Sequence, residues 1–262
     1  MKTKTLTILL LAALAAVPRP ARAATAAPDY SAWNDLLSRD YDPAKGMNYK
    51  ALKARDAQAL SGLRQRMAEV DPSALPRPDQ LAYWINLYNI SVVSTVVEHY
   101  PVESIRDIST DPIVRLNVFK KPTVKVKGGT ISLNDIENTK IREGFKNPRI
   151  HFAINCAAES CPPIRTEAYV GSRIDEQLDD QARRFLNGPH GVRLEKDGDT
   201  LVVHTTKVMD WFGEDFDKWG GGRLAFLKRY VSADKKAQLD RAGENVKLVY
   251  DSYSWKLNDN SK

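Results

Sequence analysis

Residues 79–99 place the strongest constraint on how this chain can fold. Leu81, Ala82, Trp84, Ile85, Leu87, Tyr88, Ile90, Val92, Val93, Val96 and Val97 leave that segment without a broad polar face. A helix apolar on all sides has to be buried, so the rest of the chain must wrap it from several directions. Asn86 and Asn89 sit one turn apart in its middle and share a face. A buried amide without partners costs about 1–3 kcal/mol. The pair therefore either bonds neighbouring backbone or lines a site, and both asparagines are candidate substrate-binding residues.

The segments before this helix also read as helical. Asp29 and Asp56 are placed to cap two helices, one carrying Trp33, Leu36 and Leu37, the other Leu60, Leu63, Met67 and Val70. Asp71-Pro72 ends the second, and Pro76-Arg77-Pro78 marks a tight connection. From Val114 the pattern turns to short strands at 114–119, 123–127 and 130–131, the last two joined by Gly128-Gly129. Ser132 with Asp135 resembles a capping box, opening a helix through Phe145. Residues 149–155 read as a short, strongly apolar strand. An amphipathic helix at 172–186, a hairpin around Asp197-Gly198 and a last strand at 246–250 follow. Helices first and mixed elements later predict an α+β fold, with a helical N-terminal half packed on a small, mainly antiparallel sheet. No Gly- or Ser-rich linker divides residues 24–262, which are expected to form one domain.

The N-terminus changes what the charge means. Lys2 and Lys4 precede an apolar run from Leu6 to Val17, and Ala21-Arg22-Ala23 supplies a small-x-small cleavage site. This is the pattern of a secretory signal peptide over residues 1–23, cleaved after Ala23. The run is too short to span a bilayer, which takes about 20 residues. The full chain of 262 residues carries a net charge of +6, which invites a nucleic-acid reading. Removing Lys2, Lys4, Arg19 and Arg22 leaves 35 basic against 33 acidic residues, a net of +2. The remaining basic residues do not cluster with aromatics as a nucleic-acid groove would, so nucleic acid is excluded as a partner. The mature protein is expected in the periplasm or secreted, with no membrane span, in a compartment where disulfides persist.

The chemistry concentrates in Arg149-Ile150-His151-Phe152-Ala153-Ile154-Asn155-Cys156-Ala157-Ala158-Glu159-Ser160-Cys161-Pro162-Pro163. With Gln80-Leu81-Ala82-Tyr83-Trp84-Ile85-Asn86-Leu87-Tyr88-Asn89, Ser132-Leu133-Asn134-Asp135-Ile136-Glu137 and Asp210-Trp211-Phe212-Gly213-Glu214-Asp215-Phe216, it resembles the bacterial and plant family catalogued as domain of unknown function 547. The resemblance covers roughly residues 80–216. It implies a frequently exported bacterial protein and, from plant members fused to a coiled coil, a scaffolding use; it names no activity. Asn138 stands where many members carry His after the Ile-Glu pair, so no catalytic role is carried over to that position.

The residues leave several readings open. Cys156, at the start of a loop, can be a nucleophile if a base or hydrogen-bond donors lower its pKa. His151 is the nearest candidate base, although a regular strand would point positions 151 and 156 to opposite faces. Glu137, Glu159 and Asp210 are candidate orienting acids, and Glu137 and Asn155 candidate substrate-binding residues. A disulfide between Cys156 and Cys161 is the structural alternative in an exported chain. A redox-active pair is a third reading, while the His-Cys-Cys spacing matches no common zinc site. The acidic run Asp210, Glu214, Asp215 and Asp217 reads as a solvated helix face, and Trp211, Phe212 and Phe216 as core. The sequence thus points to a cysteine-centred hydrolase or acyltransferase on a small peptide-like or thiol-containing molecule, with no cofactor and no assigned protein partner. The rival is a non-catalytic binding or scaffold domain with stapled cysteines.

Overall fold

A computed structural model describes residues 26–108 and 117–261. The signal peptide expected at residues 1–23 and the first part of the strand expected at 114–119 lie outside these described residues. The apolar segment forms helix α3 (Arg77–His99), after α1 (Ser31–Asp40) and α2 (Ala57–Glu69). Pro78 and Asp79 fit the first turn of α3, where the backbone N–H needs no partner and negative charge is favoured. From Leu81 to Ser94 every side chain of α3 is buried. Leu60, Leu63 and Met67 of α2 lie against it, and the Tyr83 hydroxyl donates to the Met67 carbonyl at 3.0 Å. Asp29 accepts from Ser31 N at 2.9 Å, whereas the Asp56 carboxylate goes to Arg39 and makes no cap bond. Gly171 closes on the start of α3 so tightly that a Cβ there would collide with Asp79. No helix among the described residues is long and apolar enough to cross a membrane.

Among the described residues the strands form three small sheets. A ribbon of β1 (Tyr41–Asp42) and β2 (Gly46–Met47) and another of β3 (Val124–Val126) and β4 (Gly129–Ile131) are antiparallel. In the third sheet β6 (Thr200–Thr205) lies between β5 (Arg193–Asp197), antiparallel to it, and β7 (Val246–Tyr250), parallel to it. Helices α4 (Ile174–Asn187), α5 (Gly222–Tyr230) and α6 (Ala233–Ala242) accompany this sheet. The result is the expected α+β fold. It holds two apolar cores, one around α1 to α3 and one formed by the third sheet with α4, α5 and α6.

One expected strand is not a strand, and the described end of another is a turn. Residues 117–120 form a turn, in which Lys120 N donates to Asn117 O at 2.8 Å. Residues 149–155, expected as a buried strand, instead begin with a 3-10 helix at Pro148–Phe152. Asn147 accepts from Arg149 N and Pro148 occupies the first turn, so both flanking residues favour a helical start. A short apolar run has no periodicity to distinguish the two conformations. This tight turn joins the cores: Ile150, Ala153 and Ile154 enter the first and Phe152 the second. His151 is left at the seam, stacked on Phe212 with ring centroids 4.1 Å apart.

Candidate active site

The cysteine loop leaves this turn under the control of buried amides. Asn89 Nδ2 donates to Ala153 O at 2.9 Å, and its Oδ1 accepts from Asn155 N at 2.9 Å. Asn155 in turn donates to Pro162 O at 2.7 Å and accepts from Ala157 N at 2.7 Å, closing the loop on itself. Ala157 sits in the left-handed region at φ 62°, a conformation that costs a residue with a Cβ roughly 1–2 kcal/mol. The C-terminal segment pairs with the loop: Glu159 N donates to Lys256 O at 2.8 Å and Asn258 N to Ala157 O at 3.1 Å. That pairing carries Tyr253 and Trp255 to the cysteines.

Cys156 and Cys161 are free thiols with sulfurs 3.0 Å apart, well beyond the roughly 2.05 Å of an S–S bond. The disulfide weighed from the sequence is therefore not formed in this structure, although little movement would close it. The two thiols are unequal. With both thiols protonated Cys156 Sγ donates to Cys161 Sγ; toward a Cys156 thiolate the direction reverses and Cys161 donates, as can Tyr253 Oη, 3.1 Å from the same sulfur. Those donors lower the Cys156 pKa against the opposing effect of burial. Burial pushes Cys161 up, and a neighbouring Cys156 thiolate pushes it further. Tyr253 is also raised by burial, so it keeps its proton and donates it.

Both thiols open on a cavity of about 250 Å³, lined also by Tyr88, Phe119, Glu137, His151, Trp211, Phe212, Tyr253 and Trp255. Glu137 belongs to a helix that follows the expected capping box of Ser132 and Asp135 but winds with wide π-type turns over Ile136–Glu143. Such turns are uncommon and recur at functional sites. Burial raises the Glu137 pKa to about 7, against the opposing pull of Arg142 and a long 3.4 Å hydrogen bond from Tyr88.

His151 is buried, and its Nε2 lies 2.7 Å from Asp215 Oδ2. Arg142 clamps the same carboxylate at 2.7 and 3.0 Å, and Asn138 holds Arg142 at 2.7 Å. Burial disfavours the Asp215 charge, yet His151 and Arg142 hold its pKa well below the usual carboxylate range. An ionised Asp215 can only accept, so Nε2 carries the proton and Nδ1 presents a lone pair. Nδ1 has no hydrogen-bond partner among the described residues. Burial lowers the His151 pKa in spite of Asp215, which keeps the ring neutral near pH 7.

The structure thus gathers Cys156, Cys161, His151 and Glu137 around one cavity, with no hydrogen bond between His151 and Cys156. Asn86 and Asn89 lie outside its lining. Asn86 brackets Tyr169, donating to its O at 2.8 Å and accepting from its N at 3.0 Å. Asn155 borders a second cavity, of about 560 Å³, on the far side of the cysteine loop. Of the other acids considered, Glu159 pairs with Lys256 at 2.8 Å and Asp210 with Lys207 at 2.6 Å, both at the surface. The partner of His151 is Asp215, which the sequence pattern had assigned to a solvated face. Tyr253 and Trp255 were missed as well, though their alternation with Ser252 and Ser254 is a strand-like signal. Among the described residues no three His, Cys, Asp or Glu side chains converge as a metal site.

Fold and site together define an α+β protein built around a cavity with two unequal thiols. Residues 72–186 match the family described as "Protein of unknown function, DUF547", the family that the motifs resemble. Glu137, His151 and both cysteines fall within the match, while Asp215, Trp211, Tyr253 and Trp255 lie beyond it. No curated protein and no solved structure matches the chain.

Proposed function

We propose that the protein is an exported, cysteine-centred acyl-transfer or amide-hydrolysing enzyme acting on a small peptide-like or thiol-containing molecule. The observation that carries this reading is the setting of Cys156. As a thiolate its sulfur is within reach of donors at Cys161 Sγ, 3.0 Å away, and Tyr253 Oη, 3.1 Å away, inside a cavity that also holds two proton acceptors. Donors lower a thiol's pKa by stabilising the thiolate, which is the attacking form.

In this reading the thiol proton passes to the His151 Nδ1 lone pair or the Glu137 carboxylate. The thiolate forms a bond to the acyl carbon as the bond to the leaving amine or thiol breaks, and the leaving group takes up the transferred proton. Water or a second amine then attacks the thioester, giving its proton to the same acceptors, and Cys156 departs as a thiol. A carboxyl with a pKa of about 7 can both give and take a proton at neutral pH. The signal-like leader supports the export half of the proposal.

The proximity of the sulfurs favours one second reading, in which oxidation staples the loop and the domain only binds. Thiol titration followed by labelling separates the two. The enzyme reading expects a titratable Cys156 that reacts with a small electrophile near pH 6, faster than Cys161 and faster than free cysteine, whose pKa is about 8.5. Two thiols that appear only after reduction, and that then react no faster than free cysteine at that pH, would overturn it.

A further inference from the structure

We infer that the cysteine cavity takes a ligand bearing an alkylammonium group, seated between the Glu137 carboxyl and the aromatic wall. This rests on the reading of the cavity as the substrate site and narrows the substrate class. Among the described residues the lining contains one carboxylic acid and no Lys or Arg. Just outside it, the Asp215 carboxylate is matched by Arg142, which also pulls on Glu137 from a distance, and the buried His151 ring is neutral. Glu137 is therefore the acid of the lining with no ion pair among the described residues, and a cation brought by the ligand would supply one. An anionic ligand would meet Glu137 with no counter-charge in the wall. A purely apolar one would cover the carboxyl without pairing it.

The wall has the complementary chemistry. Tyr88, Phe119, Trp211, Tyr253 and Trp255 border the cavity with ring faces and edges. Trp211 and Tyr253 approach with centroids 4.7 Å apart, and Tyr253 and Trp255 at 4.9 Å. An ammonium over aromatic faces is attracted by the ring quadrupoles, more strongly where water is displaced. The wall already accepts cations from outside: the Arg106 guanidinium lies 5.1 Å from the Trp255 centroid and that of Arg142 4.8 Å from Phe212. Trp211, at 46% exposure the one large hydrophobic residue left open among the described residues, stands at this group of rings, where an incoming ligand meets it first. The glutamate's only hydrogen bond among the described residues, from Tyr88 at 3.4 Å, is long enough to yield to a better donor.

The test compares n-butylammonium with its uncharged counterpart 1-butanol and with butyrate, titrated at pH 8 and read by tryptophan fluorescence. It is run on the wild-type protein and on Cys156→Ser, which removes the nucleophile. Saturable binding of n-butylammonium to both proteins is expected, with 1-butanol and butyrate weaker by about tenfold or more. Glu137→Gln should remove that preference, and Trp211→Ala should weaken the cation a few-fold. Equal affinity for amine and alcohol in the wild-type protein overturns the inference, whether or not Glu137→Gln folds. So does a folded Glu137→Gln protein that keeps the preference. A reactive Cys156 without amine preference defeats this inference alone. Amine preference with an inert Cys156 defeats the enzyme reading alone.

Discussion

Two sets of buried polar groups lie within one layer of each other and are treated in opposite ways. On α3, each amide has both of its ends bonded to backbone: Asn86 to Tyr169, Asn89 to Ala153 and Asn155. In the cavity, among the described residues, Glu137 has one long hydrogen bond and His151 Nδ1 has none. Satisfied groups fix the path of the chain, because each bond specifies a distance and a direction. Under-satisfied groups lower stability and stay available to a ligand or a proton. The difference suggests that the α3 amides hold the cysteine loop in place and the cavity groups do its chemistry. Removing a member of each set should therefore shift stability in opposite directions.

The largest effect is expected at Asn89. Replacing it with Ala leaves Ala153 O and Asn155 N buried without partners, each worth about 1–3 kcal/mol. Asn89→Ala should destabilise the protein by about 2–4 kcal/mol, measured as the free energy of urea unfolding. The thiol loop hangs from the same two bonds, so labelling of Cys156 should also lose its advantage over Cys161. A loss below about 0.5 kcal/mol would place Asn89 outside the network that shapes the loop.

Glu137 should respond the other way. Its folded pKa is raised to about 7, so the unfolded chain gives up its proton first as pH rises. Between about pH 4.5 and 7 the folded state binds more protons than the unfolded one, and stability falls as pH increases. Above the folded pKa the full penalty is present. A shift from 4.5 to about 7 corresponds to about 2–3 kcal/mol once some solvent access through the cavity is allowed for. Glu137→Gln should therefore raise the unfolding free energy at pH 8 by about that amount and change little at pH 4. A variant no more stable than wild type at pH 8 would mean that the carboxyl is well solvated, and the contrast with Asn89 would disappear.

What could be read from the sequence follows the range of the interactions. Helix α3, the capping box of Ser132 and Asp135, α4 and the β5–β6 hairpin are written in local pattern, and they stand where periodicity and turn residues place them. The cysteines and Glu137 were visible through residue type. Asp215 was not, because its acidic neighbours disguise it as surface and its partner Arg142 is 73 residues away. Tyr253 reaches Cys156 across 97 residues, through a C-terminal segment whose pairing with the loop depends on the finished fold. The turn at Pro148–Phe152 failed for another reason. A run this short, apolar at Ile150, Phe152, Ala153 and Ile154, carries too little periodicity to separate a buried strand from a helical turn. That error also removed the strand-face objection to His151 and Cys156 sharing a cavity.

The smallest effect, and the sharpest for the cavity side of the comparison, is expected at Tyr253. Its hydroxyl can donate to Cys156 Sγ, beside Cys161 and the Ala158 backbone, and its ring packs between Trp211 and Trp255. Tyr253→Phe keeps the ring and removes only the donor, so stability should stay within about 1 kcal/mol of wild type. The thiolate, however, loses a hydrogen bond made to a charge, which is the stronger kind. A loss of about 1.4 kcal/mol of thiolate stabilisation raises the Cys156 pKa by about one unit. Labelling measured against pH, on the reduced protein, should then show the profile displaced to higher pH and a rate near pH 6 lowered several-fold. At pH values above both pKa values the two proteins should react at similar rates, because the nucleophile is then fully ionised in each. A uniform slowing at every pH would instead indicate a change in access to the cavity. An unshifted profile would leave Cys161 and the Ala158 backbone as the donors that matter, and the asymmetry of the two thiols would then be a property of the loop alone.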